Sequence, residues 1–251
     1  IYKKIFDDQA QACLYRQGSI RALDSDHIQV GIIGSRAISS YTFDVLPGML
    51  QFLSLFKCNI ISGGALGVDT FAHSLALQFN LKTTAFLACP LDNLSPKQNS
   101  DLFQEIQSHG CLLSSLRPYT TVKKHQFLDR NKLLVKLCDF LIVPQAQCHS
   151  GSIKTAEYAL SLNKQVFVPP VRNSDLAYDG NLILLQKGAK LLTRPDDLIN
   201  NSRIQNQYNQ LLKPHLKKHQ HLIRGYKNMQ PIDILEALFK KIFDGKLNYL
   251  P

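Results

Sequence analysis

The chain predicts an α/β fold, a Rossmann-like, doubly wound, mostly parallel sheet carrying a short basic helical C-terminal extension. Three observations support this. Short apolar runs alternate with helical patterns from residue 30 to about residue 195. The runs are nearly continuous rather than alternating, as strands buried on both faces require. Several of them end in glycine- or serine-rich turns that lead into the next helical pattern. Strands separated by helices give a parallel sheet covered on both faces, with ligands expected at the carboxyl ends of the strands.

The predicted strands are Val30–Ile33, Asn59–Ile61, Thr83–Ala88, Cys111–Leu113, Phe140–Val143 and Gln165–Val168. Val68–Phe79, Leu102–His109, Asn131–Cys138 and Ile153–Leu162 read as helices between them. Residues 1–28 form a lead-in, with an extra strand and turn at Leu14–Ser19. Residues 29–198 form the Rossmann-like domain, and residues 199–251 a basic linker with a small helical element. That last segment has nine Lys and Arg against three Asp and Glu, and Pro231 opens a helical stripe of Leu235, Leu238, Phe239 and Ile242.

With 251 residues the chain can bury a substantial core. A hydrophobic content of 45% with 19% charged residues is that of a globular protein, and no apolar run reaches the roughly 18–20 residues of a membrane span. No secretory signal is visible, so a cytoplasmic location is expected. Six cysteines without a C-x-x-C pair fit reduced, half-buried thiols, and no metal or cofactor motif is present. The formal net charge is +10 and the pI about 9.3, which favours a polyanionic partner.

Three turns are friendly to phosphate. They are Gly34-Ser35-Arg36, Ser62-Gly63-Gly64 and Ser150-Gly151-Ser152; the first ends a predicted strand, and the other two lie between a predicted strand and a helix. Glycine lets an anion approach the backbone, and a helix N-terminus offers unpaired N–H groups. All three should converge at one end of the sheet, implying a ligand with several phosphates or a polymer of them. Serine-rich turns also cap helices without any ligand, so Ser150–Ser152 with Thr155 has two readings. Asn181 either steadies that pocket or is a satisfied structural amide. Asp69 and His73, four apart on one helix face, read as capping and packing, because neither a third ligand nor a nucleophile accompanies them.

The order of motifs resembles the DprA/Smf family of bacterial natural transformation. The matching residues run from Leu14-Tyr15 and Gly18-Ser19 through Ile32-Ile33-Gly34-Ser35-Arg36 to Ser62-Gly63-Gly64-Ala65, Gly67-Val68-Asp69 and Ala72-His73. They continue with Phe127, Arg130-Asn131, Ser150-Gly151-Ser152, Thr155-Ala156, Val166–Pro169, Asp179-Gly180-Asn181 and Gly188-Ala189, covering about residues 12–195. The chain departs from the family pattern at Lys132, at Ser115 and at Pro170. The resemblance implies a non-catalytic homodimer that binds single-stranded DNA and hands it to the recombinase RecA.

On that reading Arg36, Lys123, Lys124 and Arg130 take backbone phosphates, Phe127 stacks a base, and Asn131 sits beside them. Each has a plainer alternative. Arg36 is then a surface arginine, Phe127 a core residue packed before a helix, and Arg130 a salt bridge at a helix start. A nucleotide-processing phosphoribohydrolase of the lysine-decarboxylase-like type is the competing function. Thr155-Ala156-Glu157 loosely matches its Thr-x-Glu, but its Pro-Gly-Gly-x-Gly-Thr loop is absent. Neither G-x-G-x-x-G nor G-x-x-x-x-G-K-[ST] occurs.

Overall fold

The apolar runs become neighbouring strands of one sheet. The computed structural model describes residues 3–7, 12–171 and 176–218. Its strands are β1 (Lys3–Asp7), β2 (Ala12–Gly18), β3 (Ile28–Ile32), β4 (Cys58–Ser62), β5 (Lys82–Leu87), β6 (Cys111–Ser114), β7 (Phe140–Ile142), β8 (Gln165–Val168) and β9 (Lys190–Leu191). The helices are α1 (Ser40–Leu53), α2 (Val68–Gln78), α3 (Ser100–His109), α4 (Gln126–Leu137), α5 (Gly151–Ser161), α6 (Asp179–Gln186) and α7 (Ser202–Lys218). Each strand expected from the sequence lies within two residues of its observed bounds. Helix α4 begins five residues earlier than expected, which puts Phe127 on its first turn instead of in a loop.

The sheet order is β1-β2-β6-β5-β4-β3-β7-β8-β9. Strands β3 to β9 pair in parallel, whereas β2 runs antiparallel to β6, and β1 antiparallel to β2. The segment read as a lead-in therefore supplies two strands at one edge. Gly18, at a φ of +89°, makes the turn out of β2, and the next residue's N–H donates to Gly110 O at 2.8 Å.

The chain winds from β3 to β6 towards that edge, then returns to the other side of β3 with β7, β8 and β9. Strands β3 and β7 thus adjoin where the winding reverses. In doubly wound sheets the loops leaving such a strand pair diverge to opposite faces and leave a crevice between them.

Residues of β3, β4, β6 and β7 are buried throughout, as strands covered on both faces must be. Two of their polar side chains, Gln29 and Asn59, bond to each other. Asn59 donates to Gln29 Oε1 at 2.8 Å and pairs with Thr84, while Gln29 Nε2 donates to Ala22 O at 2.8 Å. This ladder lies near the amino ends of the strands, away from the crevice.

The chain divides into two compact units, Ile1–Asn201 and Ser202–Pro251. The stretch read as a linker opens with α7, a 17-residue helix whose Ile204, Tyr208 and Leu211 repeat at helical spacing. The stripe expected at residues 235–242 lies outside the described residues.

His73 of α2 is fully buried, with Nδ1 2.7 Å from Thr83 Oγ1, and Thr83 in turn donates to Ile60 O at 3.0 Å. Since the threonine proton is committed to the carbonyl, Nδ1 carries the imidazole proton. Burial, and then the nearby Arg130 charge, push His73 down to about 3. The native state therefore takes up fewer protons than the unfolded chain between about pH 3 and the ordinary histidine value near 6.5. His73 makes stability rise with pH across that window, by up to about 1.4 kcal/mol per unit, and its contribution is flat above it. His73→Gln should remove this slope, measured by urea unfolding from pH 4 to 7. An unchanged slope would place the acid sensitivity elsewhere.

Candidate functional site

The crevice between the loops after β3 and β7 is a cleft of about 420 Å3. One amide holds it in shape. Gln145, buried in the β7 loop, accepts through Oε1 from Ser39 N–H at 3.0 Å and from Thr42 Oγ1 at 2.9 Å. Its Nε2 donates to Ala37 O at 3.1 Å, and its own carbonyl accepts from Ser35 N–H at 2.9 Å. The two loops are thus laced together without using the side chains of the rim. Asn181, from α6, holds the same loop from below. It accepts from Ala146 N–H at 2.8 Å and donates to the carbonyls of Val143 at 3.2 Å and Pro144 at 3.3 Å. Asn181 is buried and fully engaged, so it shapes the cleft without facing a ligand.

Two of the three expected turns meet in this cleft. Gly34, Ser35 and Arg36 form one wall, and Ser150, Gly151 and Ser152 form another. A side chain at Gly34 would collide with Val68 and with Gln145 O, so the residue is needed for close packing. Arg36 is exposed. Ser150 caps α5, its Oγ accepting from Ile153 N–H at 3.4 Å and lying 2.8 Å from Ser152 Oγ. Gly151 has open space where a Cβ would stand. The N-terminus of α5 therefore presents hydroxyls and backbone N–H groups to the cleft, as anion sites do.

The third wall is the first turn of α4. Phe127 is 41% exposed and Leu128 45%, which excludes the core-packing alternative for Phe127. Lys123 and Lys124 are exposed one turn earlier, outside the lining. Asn131 lines the cleft, and its Nδ2 donates to Thr155 Oγ1 at 2.8 Å. Thr155 in turn donates to Gly151 O at 2.8 Å and is buried, so its hydroxyl braces α5.

The middle turn departs from expectation. Ser62, Gly63 and Gly64 are buried, and Ser62 Oγ donates to Ile32 O at 2.6 Å. A Cβ on Gly63 would collide with the Arg130 guanidinium, and one on Gly64 would meet Leu87 and Phe103. The helix that follows is closed as well, because Val68 N–H donates to Ser35 O at 3.0 Å. Close approach is the function of these glycines, but what approaches is the protein's own side chains.

Arg130 is 5% exposed, and its Nη1 donates to the carbonyls of Gly63 and Phe86, so it fastens α4 across the carboxyl ends of β4 and β5. Burial lowers its pKa and the Asp69 charge opposes that; burial likewise raises Asp69, against Arg130 and the N–H of Ala65. Arg36 also acts on Arg130, as a like charge. Two guanidiniums border one cleft, one exposed and one sunk in its wall, with Asp69 as the buried counter-charge.

The sequence gives no motif for Gln145. Asp179 stands in a recognised motif, but its partner does not show in the sequence: Oδ1 accepts from Cys148 N–H at 2.7 Å. The Cys148 thiol donates to the same carboxylate, which lowers Asp179 and raises Cys148. Glu157, the carboxylate of the phosphoribohydrolase alternative, pairs with Lys187 and is absent from the cleft lining. Among the described residues no helix is long and apolar enough to cross a membrane, and no three His, Cys, Asp or Glu side chains form a metal cluster.

A family profile described as DNA recombination-mediator protein A matches residues 2–203. The DNA processing protein DprA of Streptococcus pneumoniae is 35% identical over 196 residues, 78% of this chain and 68% of its own length. That of Bacillus subtilis is 29% identical over 78% of this chain and 65% of its own length. A Mycobacterium tuberculosis relative, a putative DprA, is matched over 43% of its length, so the alignments span only part of such relatives. Among solved structures, the Streptococcus pneumoniae protein superposes with a TM-score of 0.74 at 32% identity, covering 80% of this chain and 73% of that one. The DNA processing protein A of Helicobacter pylori, whose structure concerns its single-stranded DNA binding mode, gives 0.73 at 33% identity, covering 82% and 96%. With the strand order, the two converging turns and the matched length in agreement, this chain belongs to the DNA recombination-mediator protein A family.

Proposed function

We propose that the chain binds single-stranded DNA with little sequence preference and, as a homodimer, assists loading of RecA during recombination of incoming DNA. One observation supports the binding step most. The exposed Arg36, the open N-terminus of α5 and the half-exposed Phe127 face one cleft at the sheet's switch point. A cation, an anion-binding helix end and an aromatic face are the parts that sequence-tolerant single-strand binding uses. Phosphates rest on Arg36 and on Ser150–Ser152, and a base stacks on Phe127. Lys123 and Lys124 extend the positive rim. Arg130 supports this arrangement from beneath, its hydrogen bonds directed to the sheet. The RecA step rests on the family alone.

Labelled single-stranded and duplex oligonucleotides, titrated across salt concentration, test the reading. Single strands should bind more tightly than duplex of the same length; equal affinity would sink the proposal. For single strands, log K falls with log salt by about 0.7 per neutralised phosphate. Arg36→Ala and Lys124→Ala should each weaken binding and flatten that dependence by about 0.7. Phe127→Ala should cost about 1–3 kcal/mol at nearly constant slope, because stacking releases no counterions.

Arg130 should behave differently. Arg130→Leu strands Asp69 without its counter-charge and should destabilise the fold by about 3–5 kcal/mol, read by urea unfolding. Gly63→Ala should be destabilising too, since its methyl group would press on the same guanidinium. A fully stable Arg130→Leu protein with lost DNA affinity would instead make Arg130 a direct contact.

A further inference from the structure

A second cleft, of about 230 Å3, lies between α4 and α5. Leu128, Asn131 and Lys132 line it from α4, and Lys154, Thr155 and Tyr158 from α5. Leu128 and Asn131 also line the switch-point cleft, so the first two turns of α4 form a ridge with a cleft on either side. The bonds from Asn131 to Thr155 and from Thr155 to Gly151 O run through this partition, tying both clefts to the start of α5.

We propose that this second cleft is a further nucleotide subsite, receiving the single strand where it passes over the Phe127–Leu128 ridge. The proposal rests on the single-strand reading of the first cleft. Its chemistry is the same in kind. Lys132 and Lys154 are exposed, and neither ammonium has a hydrogen-bond or ion-pair partner among the described residues. Lys154 and Tyr158 stand four apart on α5, so a charge and a ring share one helix face. His125 adds a second ring at the margin, and Asp129 the single carboxylate, leaving two lysines against one acid. A polyanion suits that balance, whereas a second copy of this chain, at net charge +10, has the wrong sign.

The ridge fixes the order of the two subsites along a strand. A helix is about 10–12 Å across with its side chains, so only a strand a few nucleotides longer than the first cleft needs can reach the second. Affinity should therefore depend on length through residues that a short strand never touches.

Oligothymidylates of about 4 and about 12 nucleotides, both within the range of single-strand site sizes, provide the test on the full chain. The wild type should bind the longer strand more tightly. Replacing both lysines, Lys132→Gln with Lys154→Gln, should flatten the salt dependence of the longer strand by about 1.4, two contacts of about 0.7 each, and leave the shorter unchanged. Tyr158→Leu should weaken the longer strand alone, by about 5- to 150-fold if stacking has its usual worth. Melting temperatures accompany each variant, and Lys154→Gln alone, at an exposed position, should show half the slope change. If the lysine pair leaves the longer strand unaffected, or weakens both lengths equally, the second subsite is overturned. In that case Arg36→Ala still reports on the first cleft. Should Arg36→Ala leave both lengths unaffected, the single-strand reading of the first cleft falls, and this inference with it.

Discussion

The cleft exists because β3 and β7 are neighbours in the sheet while β4, β5 and β6 separate them in the chain. Loops leaving such a pair have no local reason to stay in register. Gln145 supplies one, binding Ser39, Thr42 and Ala37 through its amide and Ser35 through its carbonyl. Ser35, Thr42 and Gln145 are shielded from water, so their polar groups would be costly to leave unpaired. The position of Arg36, the depth of the cleft and the closure of α2's N-terminus by Ser35 all follow from this connection.

A second constraint comes from α4. Its buried Arg130 spans the carbonyls of Gly63 and Phe86, which is possible because a glycine, Gly63, follows β4. The expense of burying that charge is offset by Asp69 and by the carbonyl dipoles. Anchoring α4 in this way keeps its first turn, with Phe127 and Leu128, projecting beside the cleft. The exposed groups of the cleft rim are thereby displayed on rigid elements, so little ordering is left to impose on them.

Much of the fold could be read from the sequence, for a physical reason. Strands buried on both faces are apolar with few interruptions, and most of β3 to β8 shows as such. Helix α1 is not among the helices read from the sequence. Pro47 and Gly48 lie within it, yet Leu46, Met49, Leu50 and Leu53 provide a buried stripe that outweighs those breakers. At the site, Arg36 and Ser150–Ser152 are legible because strand–turn–helix chemistry is local. The Ser62–Gly64 turn is misleading for the same reason. Paired glycines announce that something comes close, and only the tertiary structure shows that it is Arg130. Gln145 leaves no trace in the sequence, since an amide bridging residues more than 100 positions apart has no periodicity or spacing.

The lacing of the cleft is almost entirely through main-chain atoms on the receiving side. Asn181 binds Val143, Pro144 and Ala146, and Gln145 binds Ser35, Ser39 and Ala37, through peptide groups that every residue type possesses. Shape and chemistry are thus encoded at different positions. Substitutions at the rim can change its charge and shape without reopening the question of whether the cleft forms, whereas the two amides have little freedom to drift. Such a scaffold can vary its rim by small steps, each one leaving a folded molecule behind it.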